Sequence, residues 1–178
     1  MILGLDISTS ITGVCFLSDE GEYLLTDYID MRKVEKSFNV KAHVIRCRFE
    51  LEPLISQVTR VFIEDKLSGF SGGRTMQKTI VTLAGFNALV SHIAFNATGC
   101  EPEHIHTSTI KALMIKEGLV IPKGIKGVSK KKVTCRFVRD KFKDFPYEET
   151  KAGNPKAHLY DCADAWTVAR SGYIKFLK

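Results

Sequence analysis

Three short apolar runs in the first 29 residues, separated by two brief polar turns, leave few folds open to this chain. Ile2 to Ile7 is apolar apart from a single acid, Asp6, and suits a buried central strand. Ser8, Thr9 and Ser10 form a polar turn. Ile11 to Leu17 reads as a second strand, in which Gly13 allows close backbone approach. Asp19, Glu20 and Gly21 signal another turn before a third strand, Tyr23 to Ile29. Connections this short reverse the chain, so an antiparallel meander is predicted.

Helix-like and strand-like stretches then alternate. Val40, Val44, Cys47, Leu51, Leu54, Ile55 and Val58 recur at three- and four-residue intervals and predict one inward helical face, kinked or broken at Pro53. Arg60 to Glu64 predicts a short buried strand, and Leu67 to Gly73 a loop with three glycines. A long helix follows over Thr75 to Asn96, with Met76, Ile80, Leu83, Ala84, Val90 and Ile93 inward. Ile105 to Thr107 is the last predicted strand, and Ser108 or Thr109 caps a helix over Ile110 to Lys116. Leu119 to Val128 reads as a loop, and Ser129 caps a basic helix reaching about Phe142. Past an irregular stretch, Phe145 to Gly153, the pair Asn154-Pro155 starts a final helix that Gly172 can stop. Strand–helix–strand connections imply parallel pairing through right-handed crossovers. The expectation is an α/β fold over residues 1–178 as a single domain. Its mixed five-stranded sheet, three strands antiparallel and two parallel, carries helices on both faces.

Charge is unevenly spread. The net charge is +6, yet Lys111 to Lys143 alone holds eleven Lys/Arg against Glu117 and Asp140, a local balance of +9 that leaves −3 for the rest. Concentrated positive charge favours a polyanionic partner, nucleic acid before an acidic membrane. The five cysteines form no CxxC pair and are odd in number, which argues against a zinc site or disulfide framework. They read as buried apolar residues in a reducing compartment. The opening MILGLDIS enters a strand directly, unlike a signal peptide, and no apolar run approaches bilayer length. A soluble, intracellular protein is expected.

Four carboxylates sit where chemistry wants them. Asp6 and Glu64 end predicted strands, while Asp161 and Asp164 lie three apart on one face of the last helix. Adjacent first and fourth strands bring Asp6 to Glu64, and the final helix crossing that edge adds the other two. Like charges so gathered raise each other's pKa values and call for cations. An all-carboxylate set suits Mg²⁺ or Mn²⁺. Two such ions about 4 Å apart activate a water and stabilise the leaving oxygen of a phosphodiester. Taken one at a time, the acids are ordinary turn, cap and helix-dipole residues, and the set of four carries the reading.

The opening ILGLDISTSITGVCFL resembles the first hairpin of RuvC-type Holliday junction resolvases. VFIEDKLSGF resembles their fourth strand, ending in a catalytic Glu before a loop, and HLYDCADAWTVA resembles their closing DxxDA helix. TIKALMIKEG and KGIKGVSKKKV resemble the segment between, so the likeness runs in order from residue 1 to about 172. The resemblance implies a ribonuclease-H-like fold and a homodimer with two active sites. Each site would hold two Mg²⁺ ions, with Mn²⁺ as substitute, on Asp6, Glu64, Asp161 and Asp164. It implies paired, symmetric nicks in four-way DNA junctions, leaving 5′-phosphate and 3′-hydroxyl ends. Lys111 and Lys131 fall where the family carries lysines near the scissile phosphate, Lys131 with a catalytic role. The longer 119–128 loop and the unfamiliar 145–153 stretch point to a divergent, phage-encoded or organellar member. Localisation follows as cytoplasm, beside the nucleoid or in a phage-infected cell, or an organelle matrix.

Around the acids, Lys126, Lys130, Lys131, Lys132, Arg136 and Arg139 are candidate phosphate contacts. Phe70 is set to wedge or stack at the crossover or to anchor its own loop, and Arg74 and Lys78 can reach a phosphate. His158 lies one turn before Asp161 and reads as a buried or capping residue, while Trp166 and Phe86 read as core or dimer-interface aromatics. No membrane and no small-molecule cofactor are expected. Three rival readings stand beside the nuclease: an actin-like ATPase, which needs two such domains and has no use for DxxDA; a nuclease of RNA or RNA–DNA hybrid; and a non-catalytic nucleic-acid-binding module.

Overall fold

The computed structural model describes residues 1–65, 74–120 and 129–178, with side chains described outside 74–79. Five strands form one sheet: β1 (Ile2–Asp6), β2 (Ile11–Leu17), β3 (Tyr23–Asp30), β4 (Arg60–Asp65) and β5 (Glu103–His106). Their order is β3-β2-β1-β4-β5. The first three strands are the antiparallel meander, and β4 and β5 join in parallel, β4 against β1. The predicted topology therefore holds, including the adjacency of the first and fourth strands.

Period-two alternation divides the strand side chains between two cores. On one face Ile2, Cys15, Leu17, Phe62 and Ile105 pack with α3 (Thr107–Lys116), α4 (Lys130–Lys141) and α5 (Ala157–Phe176). On the other, Leu3, Leu5, Val14, Phe16 and Ile63 pack with α1 (Phe38–Leu51) and α2 (Arg74–Thr98). Asp6 and Glu64 share the parity of Ile2 and Phe62, so both belong to the α5 face. Continuing the β1–β4 register past Leu5–Ile63 by one residue sets them side by side.

α5 packs closely on the sheet where Gly4 and Gly13 face it. A Cβ on Gly4 would stand 2.5 Å from the Ala169 Cβ, and one on Gly13 would stand 2.0 Å from the Asp161 carbonyl oxygen. The same holds at Gly172, where a Cβ would fall 2.2 Å from the Phe62 ring. Gly172 thus seats the helix and does not end it, contrary to expectation; α5 continues to Phe176. The start also differs. Pro155 bridges to Glu149 in extended geometry and Lys156 N–H donates to the Glu148 carbonyl, so helix begins only at Ala157 and not at Asn154-Pro155. Across α3, α4 and α5, Glu117 accepts from Arg170 at 3.0 Å and from Lys141 at 3.3 Å, tying the three helices together.

Three further expectations need correction. α1 buries Lys41, Ala42, Ile45 and Phe49, whereas Leu51, predicted inward, is 77% exposed. The helix stops at Leu51, two residues before Pro53, and a short 3-10 turn at Ile55–Gln57 follows, so the break prevails over the kink. α3 begins at Thr107, capped by the His106 side chain, which accepts from Ser108 N–H at 3.1 Å, and not by Ser108 or Thr109. Over Ile80–Thr98, α2 reaches mean hydropathy 1.4 across 19 residues, long and apolar enough to cross a bilayer on those measures alone. Its inner side nonetheless belongs to the core, through Phe86, Val90, Ile93 and Ala94.

Candidate active site

At the carboxyl ends of β1 and β4 the polypeptide gathers charge. Asp6 is 3% exposed, which is costly for a carboxylate without compensating charge. Its cross-strand partner is Gly13, over which the Asp161 backbone passes, and the absence of a side chain there lets α5 come down beside Asp6. Asp161 and Asp164, one helical turn apart, face the same edge. From α4, the Lys131 ammonium lies 3.2 Å from Asp164 and 3.7 Å from Asp161.

The electrostatics follow from this crowding. Burial pushes the Asp164 carboxyl up to about 7, the negative charge of Asp6 and, more weakly, of Glu64 pushes the same way, and Lys131 pulls against them. Burial alone would lower the Lys131 ammonium, but Asp164, Asp161 and Asp6 together outweigh it and hold it above its usual range. The protein thus draws in a cation of its own at this edge. Among the described residues, no three His, Cys, Asp or Glu side chains are closed tightly enough to encircle an ion. An open arrangement is what mutual repulsion gives when a lysine is the cation.

Glu64 is held from two sides that the sequence did not reveal. The Thr107 hydroxyl, at the first position of α3, donates to its Oε1 at 2.8 Å. From α2, the Asn87 side-chain amide donates to its backbone carbonyl at 3.2 Å. Parallel pairing of β4 with β5 explains Thr107, since the residue following β5 emerges beside the end of β4. Nothing in the spacing of Asn87 or Thr107 marks either one. A third unforeseen contact comes from Lys41, buried in α1, whose ammonium donates to the Thr9 carbonyl in the turn after β1.

The basic residues divide. Lys130, Lys131 and Lys132 form the first turn of α4, where positive charge opposes the helix dipole and no acid offsets it within that turn. Lys132 donates to the Asn154 side chain at 2.7 Å, and Lys130 and Arg136 are exposed. Lys111 is exposed on α3, one turn after Thr107 and on its face. Arg139 pairs with Asp140 at the far end of α4. Phe70 and Lys126 lie outside the described residues, as do the side chains of Arg74 and Lys78, although both belong to the first turns of α2. His158 stacks on Tyr28 with ring centroids 4.1 Å apart, and burial lowers its pKa. Trp166 and Phe86 are fully buried core residues.

Four carboxylates with no thiolate or imidazole among them suit a hard, oxygen-seeking ion. The raised Asp164 carboxyl and the lysine drawn against it show the same demand for positive charge, so Asp6, Glu64, Asp161 and Asp164 fit Mg²⁺ or Mn²⁺ chemically.

No protein-family model matches the chain, and no curated protein matches it. Among solved structures, RuvC of Thermus thermophilus in complex with a Holliday junction substrate superposes with a TM-score of 0.57 at 15% identity, covering 97% of this chain and 93% of that one. A second structure of Thermus thermophilus RuvC gives 0.58 at 17% identity, covering 97% and 94%. The likeness spans nearly the whole chain and establishes the fold: a ribonuclease-H-like mixed sheet of order 3-2-1-4-5, as in RuvC.

Proposed function

We propose that this chain is a metal-dependent endodeoxyribonuclease that resolves four-way DNA junctions by paired, symmetric nicks. The observation that carries the reading is the meeting of Asp6, Asp161 and Asp164 with Lys131 at one sheet edge, beside Glu64, on a RuvC-like fold. In this reading Asp6, Glu64, Asp161 and Asp164 hold two Mg²⁺ ions per site, with Mn²⁺ able to substitute. Bound there, the ions would activate a water and stabilise the leaving oxygen of a phosphodiester. Lys131, which pairs with Asp161 and Asp164 here, would place the positive charge of its Nζ against the scissile phosphate. Lys111, Lys126, Lys130, Lys132, Arg136, Arg74 and Lys78 bind phosphates along the arms, and Phe70 stacks or wedges at the crossover. Lys131 is offset by Asp161 and Asp164, but positive charge at this end of α4 opposes the helix dipole, and an anionic partner would turn the exposed Lys130 to advantage.

Paired nicking requires two sites, and α2 offers a surface for a second copy. Val81, Gly85, Ala88, His92 and Phe95 are all exposed and recur at alternating four- and three-residue intervals. That is the spacing of a helix–helix seam, on a helix whose inner side already serves the core. We infer a homodimer through this seam, working on branched DNA in the cytoplasm of a bacterial or phage-infected cell or in an organelle matrix.

The test compares the purified protein on a four-way junction, a linear duplex and an RNA–DNA hybrid, with Mg²⁺ and with chelator. Paired nicks confined to the junction and abolished by chelator are expected. Preferential hybrid cleavage would replace the junction reading with a ribonuclease-H-type activity, and persistence in chelator would remove the metal.

A further inference from the structure

We propose that Thr107 is a positioning residue for Glu64, fixing the orientation of the carboxylate that would ligate the metal; this rests on the metal-dependent reading above. The Thr107 hydroxyl stands 2.8 Å from Glu64 Oε1 and 3.3 Å from the Asp65 carbonyl oxygen, bridging the end of β4 from the first residue of α3. A threonine side chain is restricted at χ1 by its branching, so its hydroxyl is aimed more firmly than that of serine. A glutamate, by contrast, has three rotatable bonds, and its terminal torsion is broad unless something holds it. The rest of the residue is already anchored. Asn87, itself buried, holds the Glu64 carbonyl at 3.2 Å, and Ser91 Oγ donates to the Asn87 carbonyl at 2.9 Å. Thr107 adds a constraint at the carboxylate itself.

The consequence concerns affinity for the ion. Partners that orient a metal-ligating side chain commonly contribute about 10- to 100-fold in metal affinity. Lys111 follows Thr107 by one turn on the same helix face, so α3 presents an orienting hydroxyl and a phosphate-seeking cation side by side.

Mn²⁺ binding to the full chain, followed by calorimetry without DNA, tests the proposal alongside thermal melting in chelator. Thr107→Val preserves shape and removes the hydroxyl, and it is expected to weaken Mn²⁺ binding about tenfold with the melting temperature unchanged. Thr107→Ser is expected to stay within about twofold of the wild type, because it retains the donor. Wild-type affinity in Thr107→Val would overturn the positioning role and leave the nuclease reading standing. Equal losses in Thr107→Val and Thr107→Ser would also overturn it, since packing and not the hydroxyl would then be responsible. If Thr107→Val melts early, Thr107→Ala against Thr107→Ser makes the same comparison. Absence of Mn²⁺ binding by the wild type would overturn both this inference and the reading it rests on.

Discussion

Asp6→Asn is expected to slow single-turnover cleavage of a four-way junction by about 10³-fold or more, equivalent to about 4 kcal/mol of barrier, while junction binding in a gel shift stays within a few-fold. Asparagine matches aspartate in shape, so the almost fully buried position at the end of β1 tolerates it sterically. The charge disappears, and with it the innermost carboxylate of the site. In the proposed reading DNA affinity would rest on other groups, the exposed cations of α3 and α4, and would persist. Stability should not fall. Asp6 is the largest neighbouring charge pushing the Asp164 carboxyl upward, so its removal relieves repulsion in the free protein. A variant that in chelator melts no earlier than the wild type, yet with Mg²⁺ cleaves nothing, would show an acid retained for chemistry at a cost to stability. Cleavage at the wild-type rate would remove Asp6 from the mechanism.

Gly13→Ala is expected to be equally severe for a different reason. The added Cβ would meet the Asp161 carbonyl oxygen at 2.0 Å and its carbonyl carbon at 2.5 Å. Those are helix backbone atoms, which cannot swing aside as a side-chain tip can. α5 would have to lift, and it is also seated at Gly4 through Ala165 and Ala169. Overpacking of this kind costs about 3 kcal/mol or more, a fall in Tm of roughly 6–12 °C for a chain of this size. Lifting α5 also draws Asp161 and Asp164 away from Asp6, so residual folded protein should cleave poorly. A thermal melt within about 2 °C of the wild type would mean that the helix lies higher than the structure places it.

Much of this architecture is legible in the chain because it depends on local spacing. Two short turns force the meander, period-two alternation puts Asp6 and Glu64 on one face, and a three-residue step pairs Asp161 with Asp164. What escaped depends on tertiary context. In α1 the stripe Val40, Val44, Cys47, Leu51 looked inward, yet Ala42, Ile45 and Phe49 face the sheet and the Lys41 amine reaches the turn after β1. Two apolar stripes share that helix, and periodicity cannot choose between them. At Asn154-Pro155, favourable helix-start chemistry lost to a β-bridge made with Glu149. Gly172 has the composition of a helix stop, but the Phe62 ring over it gives the glycine a packing role inside the helix. Thr107 carried no signal, because its partner Glu64 lies 43 residues away and is reached only through β4–β5 pairing. The resemblance places Lys131 near the scissile phosphate; its position against Asp161 and Asp164 depends on α4 docking on α5.

Diffraction from crystals soaked in Mn²⁺, with data collected at the manganese absorption edge, tests the convergence of the acids most directly. Anomalous peaks bounded by the carboxylates of Asp6, Glu64, Asp161 and Asp164, with Lys131 turned away from Asp164, are the predicted result. Manganese bound elsewhere on the protein, with Lys131 still against its two aspartates and no peak between β1, β4 and α5, would contradict the account.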